Sequence, residues 1–268
     1  MSRVLGVIPA RYASTRFPGK PLAPLGERSL VEEVWQRSRA ASKLDRLLIA
    51  TEDRRVVEAA ERFGAEVALT SDTHPSGTDR AAEVVERLDE PFDIVLNIQG
   101  DEPLLTATSL DRLVSALERD PSVEMATLAE PIESAEDLFD PNVVKLATDS
   151  AGRALYFSRL PIPFHRGAAA ELALDFKEAL AARSGGLTGY LKHPGIYAYT
   201  RQALLTLARL EPSPLELDEG LEQLRALQAG FTVRIVESDF RSLGVDTPAD
   251  LERAIQALGV HPAGGPAR

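Results

Sequence analysis

The chain has 268 residues, 44% of them hydrophobic and 26% charged, with a formal net charge of −11 and no cysteine. That length buries a substantial core. The acidic balance excludes general nucleic-acid binding, which needs a broad basic surface, and the missing cysteines exclude disulfides and thiolate chemistry.

The chain opens on RVLGVIPA, a β-rich apolar run stopped by Pro9. It is too short for a signal peptide or a membrane span, so a cytoplasmic protein without membrane attachment is expected. The stretch IPARYASTRFPGKPL (8–22) follows, and Met1 to Gly26 contain no Asp or Glu. About four acids are expected there at the chain's average density. SLVEEVWQRSRAASK then has Ser29 and Glu32 in capping-box spacing ahead of a helical apolar stripe. RLLIAT reads as a buried strand, and EDRRVVEAAERFG as a helix closed by Gly64. EVALT is a third strand, DRAAEVVERLDE a helix, DIVLNIQG a fourth strand and SLDRLVSALERD a helix. Strands alternating with helices of about three turns predict βαβ units and a parallel sheet.

The pattern changes near residue 122. MATLAEPI, VVKLATDSAGRALYFSR and HPGIYAYT are β-rich, with DSAG as a hairpin turn. Residues 165–188 read as a helix inserted between strands. SPLELDEGLEQLRALQAG reads as one helix capped by Ser213, TVRIVE as a last strand and TPADLERAIQALG as a closing helix. The whole reads as a single domain over 1–268, with a βαβ half (1–121), a β-rich second half (122–258) and a frayed tail (259–268).

The basic loop follows the first strand. In a doubly wound sheet it therefore lies at the strand's carboxyl end, where ligands of open α/β sheets bind. Gly19 permits close backbone approach, Ser14 and Thr15 offer hydroxyl donors, and arginine grips phosphate bidentately. The loop matches neither a P-loop nor a dinucleotide fingerprint. Phosphate binding and a solvated loop paired with surface acids both remain open from the residues alone.

IPARYASTRFPGKPL, HPSGTDR, NIQGDEP, ALYFSR, HPGIY, SPLE with LEQLR, and GVDTP occur in the order expected of the 3-deoxy-manno-octulosonate (Kdo) cytidylyltransferases, which this chain resembles from about residue 3 to 258. The resemblance implies an α/β nucleotide-diphospho-sugar transferase fold, Rossmann-like, with a mostly parallel central sheet and a β-rich dimerisation region in the second half. It implies transfer of a cytidylyl group from CTP to Kdo, Mg²⁺ as cofactor, and a homodimer. It puts the triphosphate on Arg11, Ser14, Arg16 and Lys20, with Arg11 and Lys20 as catalytic cations. Asp101 becomes a catalytic metal ligand and Asp246 a second ligand, although Asp246 is also well placed to cap the last helix. Ser76, Gly77 and Arg80 become the cytosine-reading segment. Gln99, Arg159, His193, Tyr197, Gln223, and Glu216 or Glu219 become the sugar-binding set; Glu102, next to Asp101, is left outside the metal ligands. Alternatives are a cytidylyltransferase for sialic acid or an amino analogue of Kdo, and a nucleotide-binding regulator without catalysis.

Overall fold

Alternation along the first strand organises the molecule into layers. The computed structural model describes residues 2–13, 16–164 and 186–260. Strand β1 (Val4–Pro9) sends Val4 and Ile8 to one buried layer and Leu5 and Val7 to the other. Gly6 lies between them because a Cβ there would stand 2.7 Å from a Leu47 methyl. A two-residue ribbon, β2 (Pro24–Leu25) and β3 (Arg28–Ser29), leads into helix α1 (Leu30–Ser38), whose first turn is capped by the Ser29 hydroxyl. Strand β4 (Arg46–Thr51), helix α2 (Arg54–Arg62), β5 (Glu66–Leu69), α3 (Gly77–Arg87), β6 (Ile94–Asn97) and α4 (Ala107–Arg119) follow. Strands β5, β4, β1 and β6 pair in parallel, as the alternation predicts. Val34 of α1, Val56 of α2 and Leu110 of α4 cover one face, while Ala81 and Val84 of α3 cover the other. A parallel sheet covered on both faces is apolar along its strands, and β1, β4 and β6 are, with Arg46, Thr51 and Asn97 only at strand ends.

The second half extends the same sheet. After β7 (Met125–Pro131) come a short helix α5 (Ala135–Phe139), β8 (Lys145–Thr148), β9 (Ala154–Ser158), β10 (Leu191–Lys192) and β11 (Tyr197–Thr200). Strand β11 inserts antiparallel between β6 and β7, and β10, β8 and β9 continue antiparallel beyond β7. Helix α6 (Arg201–Leu207) buries Leu204 on the α3 side. The expected single helix after Ser213 is two, α7 (Pro214–Glu219) and α8 (Gln223–Gln228). Gly220 separates them at φ 62°, a left-handed conformation that ends a helix. Strand β12 (Val233–Glu237) returns to pair in parallel with β7, and α9 (Pro248–Leu258) closes the fold. Of the helix expected over 165–188, residues 165–185 lie outside the described residues; 186–188 form a turn. Most of the expected tail also lies outside them.

Candidate active site

The carboxyl ends of β1 and β6 open onto a common edge. The chain leaves β1 at Pro9, and Gly19 turns it at φ 74° into a single 3-10 turn over Lys20–Leu22 with Pro21 buried. That backbone aims Lys20 across the edge. Its ammonium donates to Asp101 Oδ2 at 2.6 Å and to Asp246 Oδ1 at 3.1 Å, and Arg16 reaches Asp246 Oδ2 at 3.0 Å. Two cations of the basic loop are thus paired with the two aspartates singled out in the sequence, Lys20 largely buried and Arg16 exposed. Burial pulls the Lys20 ammonium down, but Asp101 and Asp246 outweigh it, and the group stands above its ordinary value. Ser14 lies outside the described residues.

Asp101 is carried by the loop after β6. Gly100 before it is there for steric reasons rather than flexibility, since a Cβ would stand 2.9 Å from the Pro9 carbonyl oxygen. Asp246 lies in an irregular segment after β12. It does not cap α9. Thr247 accepts from the Asp250 N–H at 3.3 Å, and the Asp250 carboxylate accepts from Thr247 N at 2.8 Å and Asp246 N at 3.0 Å. The capping role belongs to Thr247, and the Asp246 carboxylate is left for cations.

The residue that sets this arrangement is Glu102, excluded from the site in the sequence reading. It is 5% exposed. It accepts from the Ser242 hydroxyl at 2.7 Å and from Leu243 N at 3.3 Å, while the Asp101 carbonyl accepts from Val245 N at 2.9 Å. The segment bearing Asp246 is so stitched to the segment bearing Asp101. Burial, and then the charge of Asp101, push the Glu102 carboxyl up to about 8.

Two cavities meet at the carboxylate pair. One, of about 340 Å³, is lined by Arg11, Arg16, Lys20, Ser76, Gly77 and Arg80 among others. The other, of about 1000 Å³, is lined by Arg159, His193, Tyr197, Glu222 and Gln223 among others. Arg16, Gln99, Asp101 and Asp246 line both. In the smaller cavity Ser76 caps α3 and Gly77 abuts Pro9, where a Cβ would stand 3.2 Å from its ring. Arg80 is buried, bonded to Thr70 and paired with Glu52 at 2.9 Å. Burial lowers its guanidinium pKa; Glu52 opposes this and the nearby Arg11 adds to it. Two cations of like sign facing one cavity favour an anion there.

In the larger cavity, Gln99 donates to the Gly195 carbonyl at 3.0 Å. Arg159 donates to the carbonyls of Pro141, Glu219 and Gly220. His193 is held between Phe157 and Tyr197, with ring centroids 5.0 and 5.2 Å away. Burial pushes its imidazole down to about 3, so it is neutral. Thr127 Oγ1 donates to the Ile196 carbonyl at 2.7 Å and therefore accepts from His193 Nε2–H at 2.8 Å. That network assigns the tautomer and leaves Nδ1, 3.5 Å from the Gln223 amide, as an acceptor.

Glu216 and Glu219 do not line either cavity. Glu216 completes the Ser213 capping box and forms a two-pronged pair with Arg225 at 2.5 and 2.7 Å. Glu219 holds the Ser158 hydroxyl and the Arg159 N–H, each at 2.8 Å. Their place is taken by Glu222, whose carboxylate accepts from Thr78 at 3.0 Å and Ser76 at 3.2 Å and so ties α8 to the start of α3. It lies in the quoted LEQLR beside Gln223; only the break at Gly220 decides which glutamate faces inward.

Among the described residues no group of three or more His, Cys, Asp or Glu gathers in a metal-binding cluster. Asp101 and Asp246 nevertheless fit Mg²⁺, which takes one or two carboxylates and completes its shell with phosphate oxygens and water. The observation behind that fit is that both already converge on one cation, Lys20 Nζ.

Residues 5–237 match the family model for cytidylyltransferases. The chain is 47% identical over 256 residues to the 3-deoxy-manno-octulosonate cytidylyltransferase of Geobacter metallireducens, covering 96% of this chain and 98% of the relative. It is 48% identical over 251 residues to that of Solibacter usitatus, covering 94% and 92%. A solved structure of CMP:2-keto-3-deoxy-manno-octonic acid synthetase in complex with CTP superposes with a TM-score of 0.84 at 37% identity, covering 96% of this chain and 99% of that one. A cytidylyltransferase from Leptospira borgpetersenii shares the fold at 17% identity and a TM-score of 0.62.

Proposed function

The chain belongs to the 3-deoxy-manno-octulosonate cytidylyltransferase family, and on that premise we propose that it transfers a cytidylyl group from CTP to the anomeric hydroxyl of Kdo, giving CMP-Kdo and pyrophosphate for lipopolysaccharide synthesis. The observation that carries the reading is the meeting of the two cavities at Asp101 and Asp246. A donor in the cation-lined cavity and a polyol acceptor in the larger one would place their reacting atoms at that junction.

The anomeric oxygen attacks the α-phosphorus, the bond to the β-phosphate oxygen breaks, and pyrophosphate leaves in line. Such a transfer needs mostly positioning and charge neutralisation. Arg11, Arg16 and Lys20 hold the triphosphate, and their attraction grows as charge passes to the leaving pyrophosphate. Ser76, Gly77 and Arg80 read the base. Arg159 faces the Kdo carboxylate, while Gln99, the His193 acceptor, Tyr197 and Gln223 orient its hydroxyls. Asp101 and Asp246 hold Mg²⁺, which when bound neutralises phosphate charge.

The family resemblance also supports a homodimer through the β-rich half, where Leu155, Leu160 and Phe164 are exposed. Among the described residues no helix is long and apolar enough to cross a membrane, and we assign the enzyme to the cytoplasm. Pyrophosphate release with each of the four nucleotides, with and without Kdo and Mg²⁺, tests the function. Release is expected only with CTP, Kdo and Mg²⁺ together, with UTP as the nearest competitor; equal turnover of ATP and CTP would refute it.

A further inference from the structure

We propose that Lys20 is a tethered cation that closes the Asp101–Asp246 pair to metal until nucleotide phosphates draw it away, so that metal and nucleotide enter together. The proposal rests on the reading of these aspartates as metal ligands.

Lys20 Nζ stands 2.6 Å from one carboxylate and 3.1 Å from the other, and its side chain is only 15% exposed. Mg²⁺ bound to the same pair would sit about 2.0–2.1 Å from carboxylate oxygens. An ammonium and a divalent cation cannot share that space, so one displaces the other. Arg16 occupies the second oxygen of Asp246, and the four groups together carry no net charge. Adding a divalent cation alone leaves the cluster with two excess positive charges and a displaced lysine without an anion. Adding it with a triphosphate gives Lys20 a new partner in the adjoining cavity, which it already lines. The backbone need not move. The 3-10 turn is pinned by the Gly19 N–H bond to the Tyr12 carbonyl at 3.1 Å and by buried Pro21, so only the flexible four-carbon stem swings. A ligand shifts such an equilibrium only by its differential affinity for the two states, and the triphosphate has one.

The test is Mn²⁺ binding, read by electron paramagnetic resonance at neutral pH on the full chain without nucleotide and, for the parent and Asp101→Asn, also with CTP. The parent, Lys20→Met, Lys20→Arg and the double variant Lys20→Met with Asp101→Asn are compared, each first checked for a cooperative thermal transition. Lys20→Met should bind one Mn²⁺ at least about tenfold more tightly than the parent, equivalent to about 1.4 kcal/mol. Lys20→Arg should stay near the parent, and the double variant should lose the gain. Lys20→Gln is an independent second removal of the charge and should behave as Lys20→Met does. Equal affinity in the parent and both uncharged variants, while Mn²⁺ still binds the parent with CTP in an Asp101-dependent way, overturns the lock and leaves the metal reading standing. Absence of Asp101-dependent Mn²⁺ under every condition overturns both.

Discussion

Asp246→Asn separates a metal ligand from a helix cap. The substitution keeps the shape of the side chain and removes one charge. In the structure that carboxylate does no capping, because Thr247 and Asp250 form the box that starts α9. Its two oxygens hold Lys20 at 3.1 Å and Arg16 at 3.0 Å, and the side chain is 43% exposed. Each such half-exposed pair is worth about 0–1 kcal/mol, so the stability lost should stay near 1 kcal/mol. For a chain of this length that is a fall of about 2–4 °C in the thermal midpoint. Turnover should fall far more, by about 10²–10³-fold, or about 3–4 kcal/mol of barrier, because the ligand set loses one of its two charges. Thr247→Ala is the counterpart and should cost about 1 kcal/mol of stability through the lost cap. Pyrophosphate release under saturating CTP, Kdo and Mg²⁺, beside thermal unfolding by circular dichroism, reads both quantities. A variant that melts many degrees lower yet turns over like the parent would refute the reasoning, for the carboxylate would then be holding the helix.

Glu102 binds a proton more readily folded than unfolded, since its carboxyl rises from an ordinary 4.5 to about 8. Its contribution is therefore complete below about pH 4.5 and drains away as the pH rises toward 8, with a slope of at most about 1.4 kcal/mol per pH unit. Glu102→Gln should flatten that fall in denaturant unfolding between pH 5.5 and 8.5; parallel profiles would count against it. Glu216→Ala should destabilise the fold by about 3 kcal/mol, because it leaves the buried Arg225 guanidinium without its carboxylate and with only the Leu207 and Leu210 carbonyls as hydrogen-bond acceptors. At temperatures well below its midpoint it should leave the KM for Kdo near that of the parent, and a selective rise in that KM would return Glu216 to the sugar site. Gly100→Ala forces a Cβ to within 2.9 Å of the Pro9 carbonyl, so the loop must shift. A cost of about 1–3 kcal/mol in stability is expected, with a loss of turnover from displaced Asp101; a variant matching the parent in both would show that the loop yields freely.

The sequence by itself determined what depends on neighbours along the chain. The strand–helix alternation through α4 followed from periods of 2 and 3.6, and the caps at Ser29 and Ser213 from residue types that satisfy free amides one turn on. The acid-free loop, Asp101 and Asp246 stood out by charge and motif. Only the tertiary structure decided relations between distant segments. It set β11 between β6 and β7 and returned β12 to β7, pairings that strand propensity leaves undetermined because many registers bury the same apolar faces. It moved the cap from Asp246 to Thr247, buried Glu102 as the stitch between the two aspartate segments, and turned Glu222 rather than Glu216 toward the cavities. Burial and charge pairing arise where separate segments meet, so the cluster of Lys20, Asp101 and Asp246 exists only once the sheet has brought residues from its two halves to one edge.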